Sequence, residues 1–299
     1  MGSASLPYRW GGGIYNYHAA LTLNNCTISS NTAVQGSGGG IYNDGNAGSA
    51  TLTITNCTIS GNSSWPGGGI FNYLGTVTIT NSTLSGNSDN GSNAGGAIVN
   101  MGTLTITSST FSGNSAGGSP NVIYDGTGGA IWNAQTLTMT NCTLSVNSAT
   151  IHGAGIYNGI NGSQATLLKI GATILNAGPS GENIYNDNTF YPATVTSLGY
   201  NLSSDNGGGY LTATGDRSNT DPRLGPLQDN GGPTFTHLPA ANSPAIDAGG
   251  PTLWTDQRGP GFVRIVNDRP DIGALEVQAT PAPTPTPTPT PRPHGHGRN

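Results

Sequence analysis

Apolar and polar residues alternate down the first two thirds of the chain in near-copies of one line. In ATLTITNCTISGNS, residues 50–63, Leu52 and Ile54 alternate with Thr53 and Thr55, the period of two that marks a strand with one buried face. The alternation then slips, because Cys57 and Ile59 fall on odd positions where Leu52 and Ile54 fell on even ones. Asn56 must therefore occupy a bend that resets which side faces inward, and asparagine tolerates the left-handed backbone such a bend needs. Related lines are LTLNNCTISSN from Leu21, VTITNSTLSGN from Val77, LTITSSTFSGN from Leu104 and LTMTNCTLSVN from Leu137, with a worn version, LLKIGATILN, from Leu167. A second short line precedes each: GGGIYN at Gly11 and Gly38, GGGIFN at Gly67, GGAIVN at Gly95, GGAIWN at Gly128, GAGIYN at Gly153 and ENIYN at Glu182.

The isoleucines of that second line stand at 14, 41, 70, 98, 131, 156 and 184, so the spacing is 27, 29, 28, 33, 25 and 28 residues. A period in this range marks a solenoid, propeller or array. The unit predicts three short strands, G-I-Y-N, L-T-I-T and C-T-I-S, separated by Gly- or Asn-bearing turns, and no 3.6-residue period calls for a helix. A propeller blade needs four longer antiparallel strands with hairpin turns, which the unit lacks. Each unit carries too few inward aliphatics to offset the backbone entropy of nearly thirty residues. Coils must stack and share a core, which predicts an all-β fold: a single-stranded parallel β-helix with about 28 residues per coil.

Composition sharpens this picture. Charged residues make up 8% of the 299, and before Ser180 they are Arg9, Asp44, Asp89, Asp125 and Lys169. A net charge of -5 with one lysine argues against nucleic acid or an anionic membrane surface as partner, since both need basic patches. No stretch is long and apolar enough to span a membrane. Cys26, Cys57 and Cys142 share one repeat position, filled by Ser82 and Ser109 in other coils, which predicts stacked small buried side chains. Distance alone also allows a Cys26–Cys57 disulfide.

Three regions are expected: repeats over 1–190, a C-terminal cap over 191–278, and a Pro-Thr spacer with a disordered tail over 279–299. Charge gathers in the second region, where ionic and Asx-turn chemistry replaces the repeat. Pro-Thr alternation favours an extended polyproline chain. The first coil begins at once with no covering segment, so upstream coils and a secretion signal are expected before Met1.

Two resemblances meet in these lines. GGAI (Gly95 to Ile98 and Gly128 to Ile131) with FSGN (Phe111 to Asn114) and its ISGN and LSGN relatives resembles the GGAI and FxxN repeats of polymorphic outer membrane protein passenger domains. SLGYNLSSD, TDPRLGPLQDNGGPT, SPAIDAG, TDQRG and DIGALE, in that order from Ser197 to Glu276, are similar to the choice-of-anchor Q domain of bacterial surface proteins. The resemblance implies an exported, right-handed β-helix at the cell surface or outside the cell. The chain departs from that pattern at HGHGRN, which is no recognisable anchor.

Three candidate chemistries follow. The residues after each isoleucine, Tyr15, Tyr42, Phe71, Val99, Trp132, Tyr157 and Tyr185, would stack into an aromatic ladder, either a platform for sugar rings or a protein partner, or a covered ladder that steadies the sheet. Thr53 and Thr55, Thr78 and Thr80, Thr105 and Thr107, and Thr138 and Thr140 would form a two-column array like that of ice-binding solenoids, although threonine is also a good exposed strand residue. Asp216, Asp221 and Asp229 are candidates for a structural calcium, and with Asp256 they are the dense carboxylates a polysaccharide lyase or hydrolase would need. His18 and His152 are isolated, and His294 and His296 lie in the tail. The leading expectation is a non-catalytic adhesive or structural rod, with a carbohydrate-active enzyme and an ice-binding solenoid as alternatives. No catalytic residue and no cofactor beyond that calcium are expected.

Overall fold

A computed structural model describes residues 10–91, 94–118, 126–159, 165–250 and 255–278. The Pro-Thr spacer, His294, His296 and Asp125 lie outside the described residues.

The chain winds as a parallel β-helix in which the inter-coil pairings are parallel and in register, apart from shifts between Met101 and Thr103 and between Ile170 and Gly171. Ile14, Ile41, Ile70, Ile98, Ile131, Ile156 and Ile184 form one continuous column, and Leu52, Val77, Leu104, Leu137 and Leu168 another. These columns meet Ile54, Ile79, Ile106, Met139 and Ile170 on the axis, all fully buried. The bend expected at Asn56 is present and repeats: Asn25, Asn56, Asn81 and Asn141 have φ of 52°, 54°, 50° and 53°, and Ser108 and Ala172 hold the same corner at 45° and 47°.

Three sheets result, although their membership differs from one sheet per sequence line. The first two lines share a 12-stranded sheet, and in two coils they fuse into single strands, Ile70–Thr80 and Ile98–Thr107. The C-T-I-S line forms a 7-stranded second sheet. Two-residue strands after each SGN, from Thr32–Ala33 to Ser148–Ala149, form a 5-stranded third sheet that alternation over so short a run does not reveal. The glycine runs have a packing reason. A Cβ on Gly68 would lie 2.5 Å from the Gly96 carbonyl oxygen of the next coil and 2.5 Å from the Ser88 carbonyl oxygen of the third sheet. Backbone therefore packs on backbone across the coil, and no side chain fits there.

Two asparagine ladders run along the interior, and they went unread in the sequence. In one, Asn16, Asn43, Asn72, Asn100, Asn133 and Asn158 each donate from Nδ2 to Oδ1 of the asparagine in the next coil, ending on Asn186, at 2.6 to 2.9 Å. In the other, Asn31, Asn62, Asn87 and Asn114 do the same toward Asn147, at 2.9 to 3.0 Å. Buried amides must be satisfied, and a column of identical residues one coil apart satisfies each with its neighbour. The signal was the unvarying Asn that closes both GIYN and SGN.

The solenoid runs beyond residue 190. Ala193–Gly199 pairs with the strand of Lys169, and Leu202–Ser203 extends the second sheet. Leu211, with Tyr210, then packs on the end of the axial core. The remaining segment turns back along the outer face of the second sheet. The Thr83 hydroxyl donates to the Phe235 carbonyl at 2.6 Å, Thr110 donates to Gln257 Oε1 at 2.6 Å, and Ala274 N–H donates to Thr143 Oγ1 at 3.0 Å. His237 Nε2 meets Ser112 Oγ at 2.9 Å, and Arg264 donates to Asn141 Oδ1 at 3.2 Å. Residues expected as an end cap thus form both a cap and a return arm. The reason is that the second sheet's outward threonines offer a row of hydrogen-bonding partners.

Candidate functional site

The threonine face is broader than the expected two columns. Thr53, Thr78, Thr105 and Thr138 lie in register, as do Thr55, Thr80, Thr107 and Thr140, and Thr51, Thr76, Thr103 and Thr136 add a third column. These side chains alternate with the fully buried Leu52, Ile54 and their equivalents, so they point away from the axis. Rows repeat about every 4.8 Å, the spacing of hydrogen-bonded strands. Lys169 and Thr196 continue the middle column, Leu167 interrupts the column that Thr194 resumes, and Gly171 and Gly199 follow Thr140 in the other.

The aromatic ladder forms, but its middle is enclosed. Tyr42 and Phe71 stack at 5.1 Å and 13°, Trp132 and Tyr157 at 6.3 Å and 8°, and Tyr157 and Tyr185 at 5.6 Å and 24°. Tyr42, Phe71, Val99, Trp132 and Tyr157 are buried in a satellite cluster with Ala94 and Ala134. Tyr15, at the first coil, is 42% exposed and donates its hydroxyl to Asp44 at 2.7 Å; Tyr185 is partly buried. Burial pushes Tyr15 up to about 12, with Asp44 adding to the shift. The rungs stack against each other and present no continuous platform.

The cysteine position holds small buried or half-buried groups, and all three thiols are free. Cys26 N–H donates to Cys57 Sγ at 3.3 Å, Cys57 N–H to Ser82 Oγ at 3.1 Å, and Ser82 N–H to Ser109 Oγ at 3.1 Å. Thiol and hydroxyl serve alike as the acceptor for the coil before, which explains why they exchange.

Asp216, Asp221 and Asp229 do not converge. Asp216 accepts from Ser197 Oγ, Asn201 N–H and Ala213 N–H, Asp221 from Arg223 N–H, and Asp229 from Gly231 N–H. Each holds its own turn. Among the described residues no group of three or more His, Cys, Asp or Glu is placed to hold a metal ion.

With inward isoleucine columns and parallel coils established, the comparison with known families decides the class. The model of the right-handed beta helix region matches residues 8–169. The chain belongs to the right-handed beta helix family. No curated protein and no solved structure matches it. In this right-handed beta helix no described helix is long and apolar enough to cross a membrane.

The densest ionic chemistry of this beta helix lies inside the return arm, in the region where the sequence gathers its charge. Asp256, Arg258, Arg264, Asp271 and Glu276 are all buried. Asp256 receives Arg258 through Nε at 3.0 Å and Nη2 at 2.5 Å, while Glu276 accepts from Asp271 N–H at 2.7 Å and Val266 N–H at 3.2 Å. Burial pushes the Glu276 carboxyl up to about 7, although Arg264 and those two N–H donors oppose it. The folded arm therefore retains a proton that the unfolded chain, with an ordinary value of 4.5, releases. Stability conferred by that proton is complete below 4.5 and is lost as pH rises toward about 7. Denaturation midpoints measured between pH 4.5 and 7.5 should fall more steeply with pH in the wild type than in Glu276→Gln; parallel curves would refute the assignment.

Proposed function

We propose that this chain is a non-catalytic rod of an exported, surface-displayed bacterial protein, and that its threonine face is the surface it lays against glycans, neighbouring cells or matrix. The observation that carries this reading is the asymmetry between two long sheets. The return arm buries Thr83, Thr110 and Thr143 of the second sheet, whereas the twelve registered threonines of the first remain on the outside. Polymorphic outer membrane protein-like repeats and a choice-of-anchor Q-like end support export and display. A carbohydrate-active enzyme draws little support from the arm's carboxylates, which are taken up by backbone N–H groups and arginine.

The test is Thr78→Lys with Thr105→Lys. The column already holds Lys169, so the fold should accept lysine there. Binding to bacterial cells and a glycan array should fall by at least about tenfold, the effect of losing roughly 1.4 kcal/mol of contact, with an unchanged circular dichroism spectrum. Undiminished binding would refute the reading. The third column favours a second reading, ordered water or ice, because a wide flat lattice of hydroxyls and methyls repeats at strand spacing. Thermal hysteresis of the wild type, lost in the same double variant, would select it.

A further inference from the structure

A different face carries a site that neither the threonine array nor the aromatic ladder includes. Outside the third sheet, Thr32, Ala33, Val34, Gln35, Ser63, Ser64, Trp65 and Asn90 line a depression of about 200 Å³. Beyond Asn90 a second depression of about 310 Å³ continues through Gly91, Ser115, Ser148 and Thr150 to Ser180. Asn90 belongs to both, so they read as one groove running along the helix axis. Third-sheet register spaces its hydroxyls evenly: Thr32, Ser63, Ser88, Ser115 and Ser148 succeed one another coil by coil, about 4.8 Å apart.

Trp65 is 44% exposed, the one large aromatic ring in this groove. Its placement is built. The backbone N–H of Trp65 donates to the Gly36 carbonyl at 2.9 Å, and that of Asn90 donates to the Ser64 carbonyl at 3.0 Å, which fixes the main chain of both residues to adjacent coils. A side chain on Gly91 would begin 2.7 Å from Trp65 Cδ1, so glycine there lets the indole lie against the backbone. The indole thereby packs against the Gly91 backbone, and the groove's polar groups are mainly amides and hydroxyls. Among the described lining residues there is no Lys, Arg or His, and Asp89 is the sole acid.

We propose that this groove binds a neutral oligosaccharide, with Trp65 stacking on a pyranose ring and Gln35, Asn90 and the hydroxyl row bonding to its hydroxyls. The chemistry is selective. A pyranose presents C–H groups on its faces and hydroxyls around its rim, which an indole face and a fringe of amides and hydroxyls match. The described lining offers no cation to an acidic chain, and its one carboxylate, Asp89, is buried, which disfavours uronate polymers and nucleic acids. A peptide would need pockets for alternate side chains or an open strand edge. The third sheet has neither in its middle, since its strands pair on both sides.

Neutral hexasaccharides of glucose, xylose, mannose and galactose, with polygalacturonate as the acidic control, should be titrated into the full chain by calorimetry. At least one neutral hexasaccharide should bind, and polygalacturonate should not. Trp65→Ala should weaken that binding by at least about tenfold, the loss of one aromatic contact, whereas Trp65→Tyr should retain most of it. Asn90→Ala, at an exposed position where folding is not at stake, should weaken it severalfold, and Gln228→Ala, at an exposed position of the return arm outside the groove and the threonine face, should bind as the wild type does. No binding of any neutral hexasaccharide, preference for polygalacturonate, or indifference to both Trp65→Ala and Asn90→Ala would overturn the proposal. So would loss in the Thr78→Lys/Thr105→Lys variant alone, which would assign the sugar to the other face.

Discussion

Asn87→Ala should be among the most destabilising single substitutions in the solenoid. Asn87 is fully buried; its Oδ1 accepts from Asn62 N–H at 3.1 Å and Asn62 Nδ2 at 3.0 Å, and its Nδ2 donates to Ile59 O at 2.9 Å and Asn114 Oδ1 at 3.0 Å. Truncation to alanine strands a backbone N–H, a side-chain N–H and a backbone carbonyl in the interior. Each stranded buried group costs about 1–3 kcal/mol, so the sum is on the order of 3–5 kcal/mol after partial relaxation. Asn24→Ala, at an exposed strand position of the first coil, should change stability by less than about 0.5 kcal/mol. Urea denaturation of the two variants checks the contrast. Equal midpoints would show that the ladder contributes nothing beyond what water supplies to an exposed amide.

Arg258→Ala should release the return arm while leaving the coils wound. Asp256 is fully buried, and among the described residues Arg258 supplies its only countercharge within 4 Å. The same guanidinium donates to Asn230 O at 3.1 Å and Glu276 O at 2.5 Å, and it lies 4.0 Å over the Phe262 ring. Removing one partner of a buried pair leaves an uncompensated charge and costs about 3–5 kcal/mol. Arg258→Lys should recover only part of this, because an ammonium cannot reproduce the fork that engages carboxylate and two carbonyls together. The arm has a small apolar cluster of its own, Ala245, Ala248 and Ile272 with Ile174 and Leu202, so the loss falls on it rather than on the axial core. Limited proteolysis should cut the variant within residues 218–278, and amide exchange should rise at Gly273 and Ala274, whose N–H groups donate to the Ala172 carbonyl and Thr143 Oγ1, with the β-sheet dichroism retained. An arm as protease-resistant as the wild type would refute this account.

The two variants probe opposite ends of what could be read in advance. The sequence by itself determined the coil: a slipped alternation at Asn56, a column of isoleucines about 28 residues apart and a left-handed corner were each written in a few adjacent residues, because alternation and backbone preference are local. Which column the ring residues would enter was also legible, but what covers them was not. Tyr42, Phe71 and Trp132 are enclosed, and Trp65, in a line that the repeat does not predict, is left open. Only the tertiary structure decided that each asparagine bonds to its counterpart one coil away, that Ser-Ala pairs make a third sheet, and that Gln257, Arg258 and Arg264 act from within an arm laid on the second sheet. Those facts depend on contacts between residues 25 to more than 150 positions apart, and the arm has no period from which its landing place could be inferred. Repetition makes the coil readable because each copy restates the same local geometry; a segment that occurs once is placed by the surface it meets.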